Sequence, residues 1–69
     1  MKNEPEWISA DYGMELYAPY NPDFTEEMKT LVPEDDREWR HEKKAWWISE
    51  AWIDEVDSLL RDHYEGYEG

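Results

Sequence analysis

The sequence predicts an α+β domain, and three patterns in the chain support that prediction. Residues 14–18 alternate between apolar and other side chains, which is the period of a half-buried strand. Two stretches, 22–32 and 50–64, repeat apolar residues at helical spacing. Residues 37–49 contain two strand-like runs around a polar turn, as in a β-hairpin. We therefore expect the order β-α-β-β-α, a three-stranded and mostly antiparallel sheet with two helices on one face.

The length of the chain allows one domain, residues 1–69. No repeat, low-complexity tract or linker divides it. Chain ends that carry few apolar residues are commonly loose, so we expect flexible tails at residues 1–6 and 65–69. Residues 7–12 fit either a short strand or an irregular lead-in.

The first helix has clear start and stop signals. Asn21 is a good N-cap, Pro22 suits the first helical position, and Pro33 ends the helix. The apolar stripe of this helix consists of Phe24, Met28, Leu31 and Val32.

The hairpin is rich in tryptophan. A four-residue turn, 41–44, places Trp39 opposite Trp46, and it places Trp47 on the other face of the sheet beside Glu38. Aliphatic residues are scarce and a packed aromatic ring buries a large area. We therefore expect a core built around Trp39, Trp46, Trp52 and Phe24.

The last helix is predicted to be amphipathic, with Ser49 as its N-cap. Its apolar side is formed by Trp52, Ile53, Val56, Leu59, Leu60, His63 and Tyr64. Its other side is acidic, with only Arg61 as a cation. The two sides differ so strongly that we expect the acidic side to face solvent.

Charge excludes several classes of function. Nineteen Asp and Glu against seven Lys and Arg give a net charge of −12, which argues against direct binding of nucleic acid or of an anionic membrane.

No apolar run is long enough to span a bilayer. Glu4-Pro5-Glu6 stands where a signal peptide would be basic, so we expect a cytoplasmic protein.

The residues that catalysis or metal binding needs are missing or poorly placed. There is no cysteine, and no serine lies in a Gly-x-Ser-x-Gly elbow. His41 is not followed by a second histidine at zincin spacing, and the acids around Asp54 lack calcium-loop spacing. We expect no enzyme activity, no cofactor and no metal site.

From residue 20 onward the order of landmarks resembles the HARP-type domain of annealing helicases and its small phage-like stand-alone relatives. The matching residues are Tyr20-Asn21-Pro22-Asp23-Phe24, Met28-Lys29, Arg37-Glu38-Trp39, Lys44-Ala45-Trp46 and Ile48. The resemblance extends over residues 20–64. It implies a compact α+β module that acts at DNA forks, and it makes Lys29, Arg37 and Trp39 the candidates for contact with nucleic acid.

Our main expectation is a small acidic inhibitor that imitates DNA and blocks a basic nucleic-acid-binding protein or complex. Anti-restriction and anti-CRISPR proteins of phages and mobile elements are of this type. The expected partner-binding residues are Glu34, Asp35, Asp36, Trp47, Asp54, Asp57, Asp62 and Glu65.

Two alternatives stay open. The first is a HARP-like accessory module at DNA forks, which would use Lys29, Arg37, Arg40, Lys43 and Lys44. The second is an acidic homodimer adapted to high salt. The basic cluster 37–44 can decide between the inhibitor and the DNA binder. If its positive charges are free, the DNA binder is favoured. If Glu38 and Glu42 neutralise them, mimicry is favoured.

Overall fold

The computed structural model describes residues 4–67. The strands are β1 (Glu6–Ala10), β2 (Gly13–Tyr17), β3 (Arg37–Arg40) and β4 (Ala45–Ser49), and the α-helices are α1 (Pro22–Leu31) and α2 (Ile53–His63). Short 3₁₀ turns, Glu34–Asp36 and Glu50–Trp52, precede β3 and α2. The expected α+β class is confirmed.

Within residues 4–67 the sheet has four strands, so the prediction of three is wrong. All neighbours are antiparallel in the order β1-β2-β4-β3. The additional strand is β1, which forms a hairpin with β2 through Asp11 and Tyr12. Tyr12 takes φ 61, a left-handed conformation that such turns usually assign to glycine or asparagine. Because tyrosine stands at the position where glycine or asparagine is usual, residues 7–12 fit an irregular lead-in as well as a strand.

The two hairpins join along β2 and β4, where Gly13 is paired with Ser49. A Cβ atom on Gly13 would lie 2.1 Å from the carbonyl oxygen of Ile48. Only glycine therefore permits the two backbones to approach this closely. The β3–β4 hairpin has the expected turn at 41–44, with Trp39 opposite Trp46 and Glu38 opposite Trp47.

Both helices cover the same face of the sheet. Leu16 and Ile48 point from the central strands into a core that also contains Met28, Val56 and Leu60, all almost fully buried. Phe24 and Val32 complete this cluster. The helix pair thus leaves the opposite face of the sheet uncovered.

The predicted helix signals are largely confirmed. The side chain of Asn21 accepts a hydrogen bond from the backbone N–H of Phe24, and Pro22 is the first residue of α1. Ser49 caps the 3₁₀ turn Glu50–Trp52 by accepting from the N–H of Ala51, so regular α-helix begins only at Ile53.

The expected aromatic core is correct only in part. Phe24 is buried, and Trp46 and Trp52 are partly buried against the core. Trp39 is 45% exposed, so its assignment to the core is wrong. It lies on β3, an edge strand of the sheet, and no other strand among the described residues covers the outer side of the ring. Trp7 packs against the core from β1 instead.

The chain ends within residues 4–67 carry more structure than we expected of tails. Pro5 is buried and Glu6 already belongs to β1. Tyr67 packs against the core, whereas Glu65 is exposed. Residues 1–3 and 68–69, which we also expected in the tails, lie outside the described residues.

Candidate functional site

The helical side of the molecule carries most of the exposed acid. Nine carboxylates on α1, α2 and the two 3₁₀ turns are exposed to solvent, against two exposed cations, Lys29 and Arg61, on the same elements. The nine are Asp23, Glu26, Glu27, Glu34, Asp35, Glu50, Asp54, Glu55 and Asp62. We call these nine carboxylates the acidic helical face. They follow from amphipathicity, because the apolar side of each helix faces the sheet and the acids must point outward.

Five of the eight predicted partner-binding residues have exposed carboxylates. These are Glu34, Asp35, Asp54, Asp62 and Glu65. The first four belong to the acidic helical face, and Glu65 follows directly after α2.

Asp36 and Asp57 instead hold the fold together. A carboxylate oxygen of Asp36 accepts a hydrogen bond from Nε1 of Trp52 at 2.9 Å. Asp57 accepts from Nε1 of Trp7 at 3.1 Å and from the hydroxyl of Tyr67, and it pairs with Arg61 at 2.8 Å. Only 16% of the Asp57 side chain is exposed. Both carboxylates therefore already have partners inside the protein.

Trp47 lies on the uncovered face of the sheet, away from the acids of α2. Its Nε1 donates to the carbonyl oxygen of Asp11 at 2.9 Å. The guanidinium of Arg40 is 5.9 Å from its ring centroid, within range of a cation–π contact. The ring is half-buried. The structure thus does not bring Trp47 together with the acidic helical face.

A cluster around Glu15 occupies the middle of this uncovered face. The side chain of Glu15 is 3% exposed, and it pairs with Lys43 at 3.0 Å and with Arg40 at 3.3 Å. It also accepts from the hydroxyl of Tyr17 at 3.1 Å. The hydrogen bond from Lys43 lowers the pKa of Glu15, and the same bond raises the pKa of Lys43. Burial raises the pKa of Tyr17.

The Glu15 cluster was missed because its members come from separate parts of the chain. The alternation of residues 14–18 places Glu15 and Tyr17 on one side of a strand, as observed. It does not indicate that this strand lies beside β4, which brings the β3–β4 hairpin within reach. The one sequence feature that points to this cluster is Glu15, an acid in an otherwise apolar strand, together with the cations of the predicted hairpin.

The basic cluster 37–44 is divided among different contacts. Arg40 and Lys43 both pair with Glu15, and Glu38 supplies the second negative charge, with a carboxylate oxygen 3.4 Å from Nε of Arg40. Nε of Arg37 donates to the carbonyl oxygen of Val32 at 3.0 Å. Glu38 thus pairs with a cation of the cluster as expected, whereas the other negative charge comes from Glu15 and not from Glu42.

Lys29 and Lys44 have a different environment. The Lys29 ammonium is 5.8 Å from the ring centroid of Trp46. Lys44 lies with Tyr20, Trp39 and Trp46 around a groove between the β3–β4 hairpin and the start of α1. Within residues 4–67, neither lysine forms an ion pair. These two cations are therefore available to a ligand.

The histidines do not form a metal centre. His41 is exposed in the hairpin turn. His63 packs edge-on against Phe24, with ring centroids 6.1 Å apart, and its Nε2 contacts a carboxylate oxygen of Glu27. Across residues 4–67, no three His, Asp or Glu side chains are grouped so that they could hold a metal ion.

Comparison with known proteins identifies no relative: no family model, curated protein or solved structure matches the chain. None of the helices within residues 4–67 has the length and apolar character needed to cross a membrane.

Proposed function

We propose that this protein is a small, non-enzymatic inhibitor that binds a basic nucleic-acid-handling protein by imitating DNA. It would act in the cytoplasm, and in the host cytoplasm if a phage or mobile element encodes it. Anti-restriction and anti-CRISPR proteins are the functional class we have in mind. The acidic helical face is the single observation that carries this proposal.

The geometry of that face suits mimicry because its charges are held on regular elements. The exposed acids of α2 form a widely spaced row, because Asp54 and Asp62 are eight residues apart on its outward side, about 12 Å along the helix axis. Asp54 and Asp62 lie on this row, and Glu65 extends it beyond the helix end. A fixed row of carboxylates can occupy a groove that otherwise binds phosphates, and it accelerates encounter with a basic partner.

The pairing of Arg40 and Lys43 with Glu15 supports the inhibitor over the HARP-like DNA binder. Two of the five cations that a DNA binder would use are occupied within the protein. Release of either would leave Glu15 buried with less compensation, which is unfavourable. A salt-adapted homodimer would explain the acidity as well, and the oligomeric state of the pure protein separates it from the inhibitor.

The proposal can be tested by competition between the protein and DNA. Tagged protein is incubated with a bacterial lysate, with and without short duplex DNA, at low and at high salt. We expect captured DNA-binding proteins that are released by duplex DNA and by salt, because both would compete for the same basic groove. The captured proteins are then purified and assayed with their own DNA substrate in the presence of the inhibitor.

A charge-matched pair of variants locates the contact. The helical triple variant Asp54→Lys, Asp62→Lys, Glu65→Lys changes the charge by +6, from −12 to −6. The control Glu6→Lys, Asp11→Lys, Glu42→Lys makes the same change in exposed acids outside the helices. Like charges across an interface cost several kcal/mol, so the helical triple should lose binding by orders of magnitude and the control far less.

The two triples give distinct answers. Equal losses would mean that bulk charge drives association, and no loss in either would place the contact elsewhere on the protein. If the captured proteins are not released by DNA, the DNA-mimic proposal is rejected. Sedimentation of the pure protein tests the salt-adapted homodimer, because the measured mass of a homodimer would be twice that of the chain.

A further inference from the structure

The groove between the β3–β4 hairpin and α1 is unlike the rest of the surface. Its walls are Tyr20, Trp39 and Trp46, and we call it the aromatic groove. It has a volume of about 360 Å³, within the usual range of ligand-binding sites. Tyr20 is 82% exposed and Trp39 45% exposed, so both rings are accessible to a ligand.

The charges at the aromatic groove are the reverse of those of the whole chain. Among the described residues, the one charged side chain that lines it is Lys29, and Lys44 lines a small adjoining pocket that shares Tyr20, Trp39 and Trp46 with it, in a protein with nineteen acids and seven Lys and Arg. The groove thus favours a ligand that carries negative charge, and it is unsuited to the basic partner of the acidic helical face.

The indole N–H groups of Trp39 and Trp46 are available to donate hydrogen bonds to a ligand. Trp7, Trp47 and Trp52 each donate their Nε1 hydrogen to an acceptor within the protein. Among residues 4–67, no acceptor is found for Nε1 of Trp39 or Trp46. The rings of these two residues are 5.4 Å apart and inclined at 59°, so they form an open angle and do not close on each other as a flat stack.

We propose that the aromatic groove binds an extended, proline-containing peptide segment with a carboxylate next to the proline. Inclined aromatic rings accept the flat side of a proline ring, and an extended peptide offers unpaired carbonyl oxygens to the indole N–H groups. Lys29 and Lys44 then pair with acidic residues that flank the proline. The proposal is independent of DNA mimicry, because it uses another surface and the opposite charge.

A peptide fits this groove better than a single-stranded nucleic acid. Bases also stack on aromatic rings, but each nucleotide brings a phosphate that needs a cationic track. Here two lysines are available, and exposed Asp23 and Glu26 lie on the neighbouring turns of α1. Those carboxylates repel a continuous phosphate backbone, whereas a peptide presents a single charge at each lysine.

The test uses tryptophan fluorescence and defined probes. The main probe is hexaproline with one glutamate at each end. The comparison probes are the same peptide with lysine ends, the same peptide with alanine in place of proline, and octathymidine. We expect saturable binding of the main probe, about fivefold weaker binding with lysine ends because exposed ion pairs are individually weak, and no saturable binding of the other two.

Variants separate the contacts from the fold. Trp39→Ala should weaken binding of the main probe about tenfold or more, and Trp39→Phe, which keeps the ring and removes the N–H, about fivefold. Lys44→Asn should weaken it, whereas Arg61→Gln, which removes a positive charge from α2, should leave it unchanged. Thermal melting of each variant excludes unfolding as the cause.

The possible results decide the proposal. Equal binding of the proline and alanine peptides, or absence of binding by the main probe, would overturn it. Tighter binding of octathymidine than of the peptide would also overturn it and would identify a nucleic-acid site. The helical triple variant should bind the peptide normally, so failure of one proposal does not imply failure of the other.

Discussion

Trp7 and Asp57 are 50 positions apart in the chain, and Nε1 of Trp7 donates a hydrogen bond to Oδ1 of Asp57 across 3.1 Å. The bond connects the edge strand β1 to α2. The same carboxylate accepts from the Tyr67 hydroxyl and pairs with Arg61. A residue that looked like one member of an acidic row thus joins both ends of the described chain to the last helix.

Asp57→Ala should therefore destabilise the protein, although it lowers the net negative charge. It leaves part-buried donors on Trp7 and Tyr67 without a partner, which costs about 1–3 kcal/mol. Asp62→Ala is the matched control, because Asp62 is exposed on the same helix, and it should change stability by less than about 0.5 kcal/mol. Urea unfolding measures both. Equal stability of the two variants would contradict the anchoring role of Asp57.

Gly13→Ala should be more damaging than Gly66→Ala. The new Cβ atom at position 13 would meet the Ile48 carbonyl at 2.1 Å, so β2 and β4 must separate locally. We expect a loss of roughly 2 kcal/mol or more, in the range of strained core substitutions. Gly66 has φ 86 and open space around it, so alanine there costs only about 1–2 kcal/mol of backbone strain. Thermal melting compares the two losses, and a loss in Gly66→Ala as large as that in Gly13→Ala would contradict the close approach of β2 and β4 at Gly13.

Stability should fall in alkaline solution because of Tyr67. Burial, and then the hydrogen bond to Asp57, raise the pKa of Tyr67 from 10.0 to about 12. A raised pKa in the folded state means that the contribution is complete below pH 10 and is lost as the pH rises through about 12. Tyr67→Phe should remove this part of the alkaline loss. Unfolding curves for both proteins between pH 9 and about 12 give the comparison, and parallel curves would contradict it.

The two tryptophans of the hairpin should differ in importance. Trp46 packs against the core, so Trp46→Ala should cost about 3–5 kcal/mol, as is usual for a large aromatic residue. Trp39→Ala removes an exposed ring and the contact between the two rings, and we expect about 1 kcal/mol. The sequence alone predicts equal and severe losses. Denaturant unfolding of the two variants decides between these expectations.

Local signals account for the parts of the fold that could be predicted. Asn21-Pro22 marks the start of α1, the period of the apolar residues defines α2, and the spacing of Trp39 and Trp46 defines the hairpin register. What could not be predicted depends on contacts between distant segments. The strand before Gly13, the buried Glu15 with its two cations, and the anchoring of Asp57 all require knowledge of which strands are neighbours.

In the acidic site, too, local sequence predicts some features, and contacts between distant segments determine the others. Amphipathicity predicts that the acids of α2 point to solvent, and Asp54 and Asp62 do so. The pattern cannot tell that Asp57, on the border between the two sides of the helix, faces Trp7. Trp47 was expected near the partner because its ring pointed away from the predicted core. Its indole N–H is occupied by Asp11, on the other face of the sheet.

Pure protein should not retard forked DNA in a gel, and this prediction separates the DNA mimic from the DNA binder. The net charge of −12 repels phosphate within the Debye length, about 8–10 Å at physiological salt. Arg40 and Lys43, which a binder would need, pair with Glu15. Lowering the salt strengthens this repulsion as well as any attraction, so we expect free DNA at every salt concentration. Tight binding of forked DNA at physiological salt would reject mimicry. The double variant Lys29→Gln, Lys44→Asn would then show whether that binding depends on the aromatic groove.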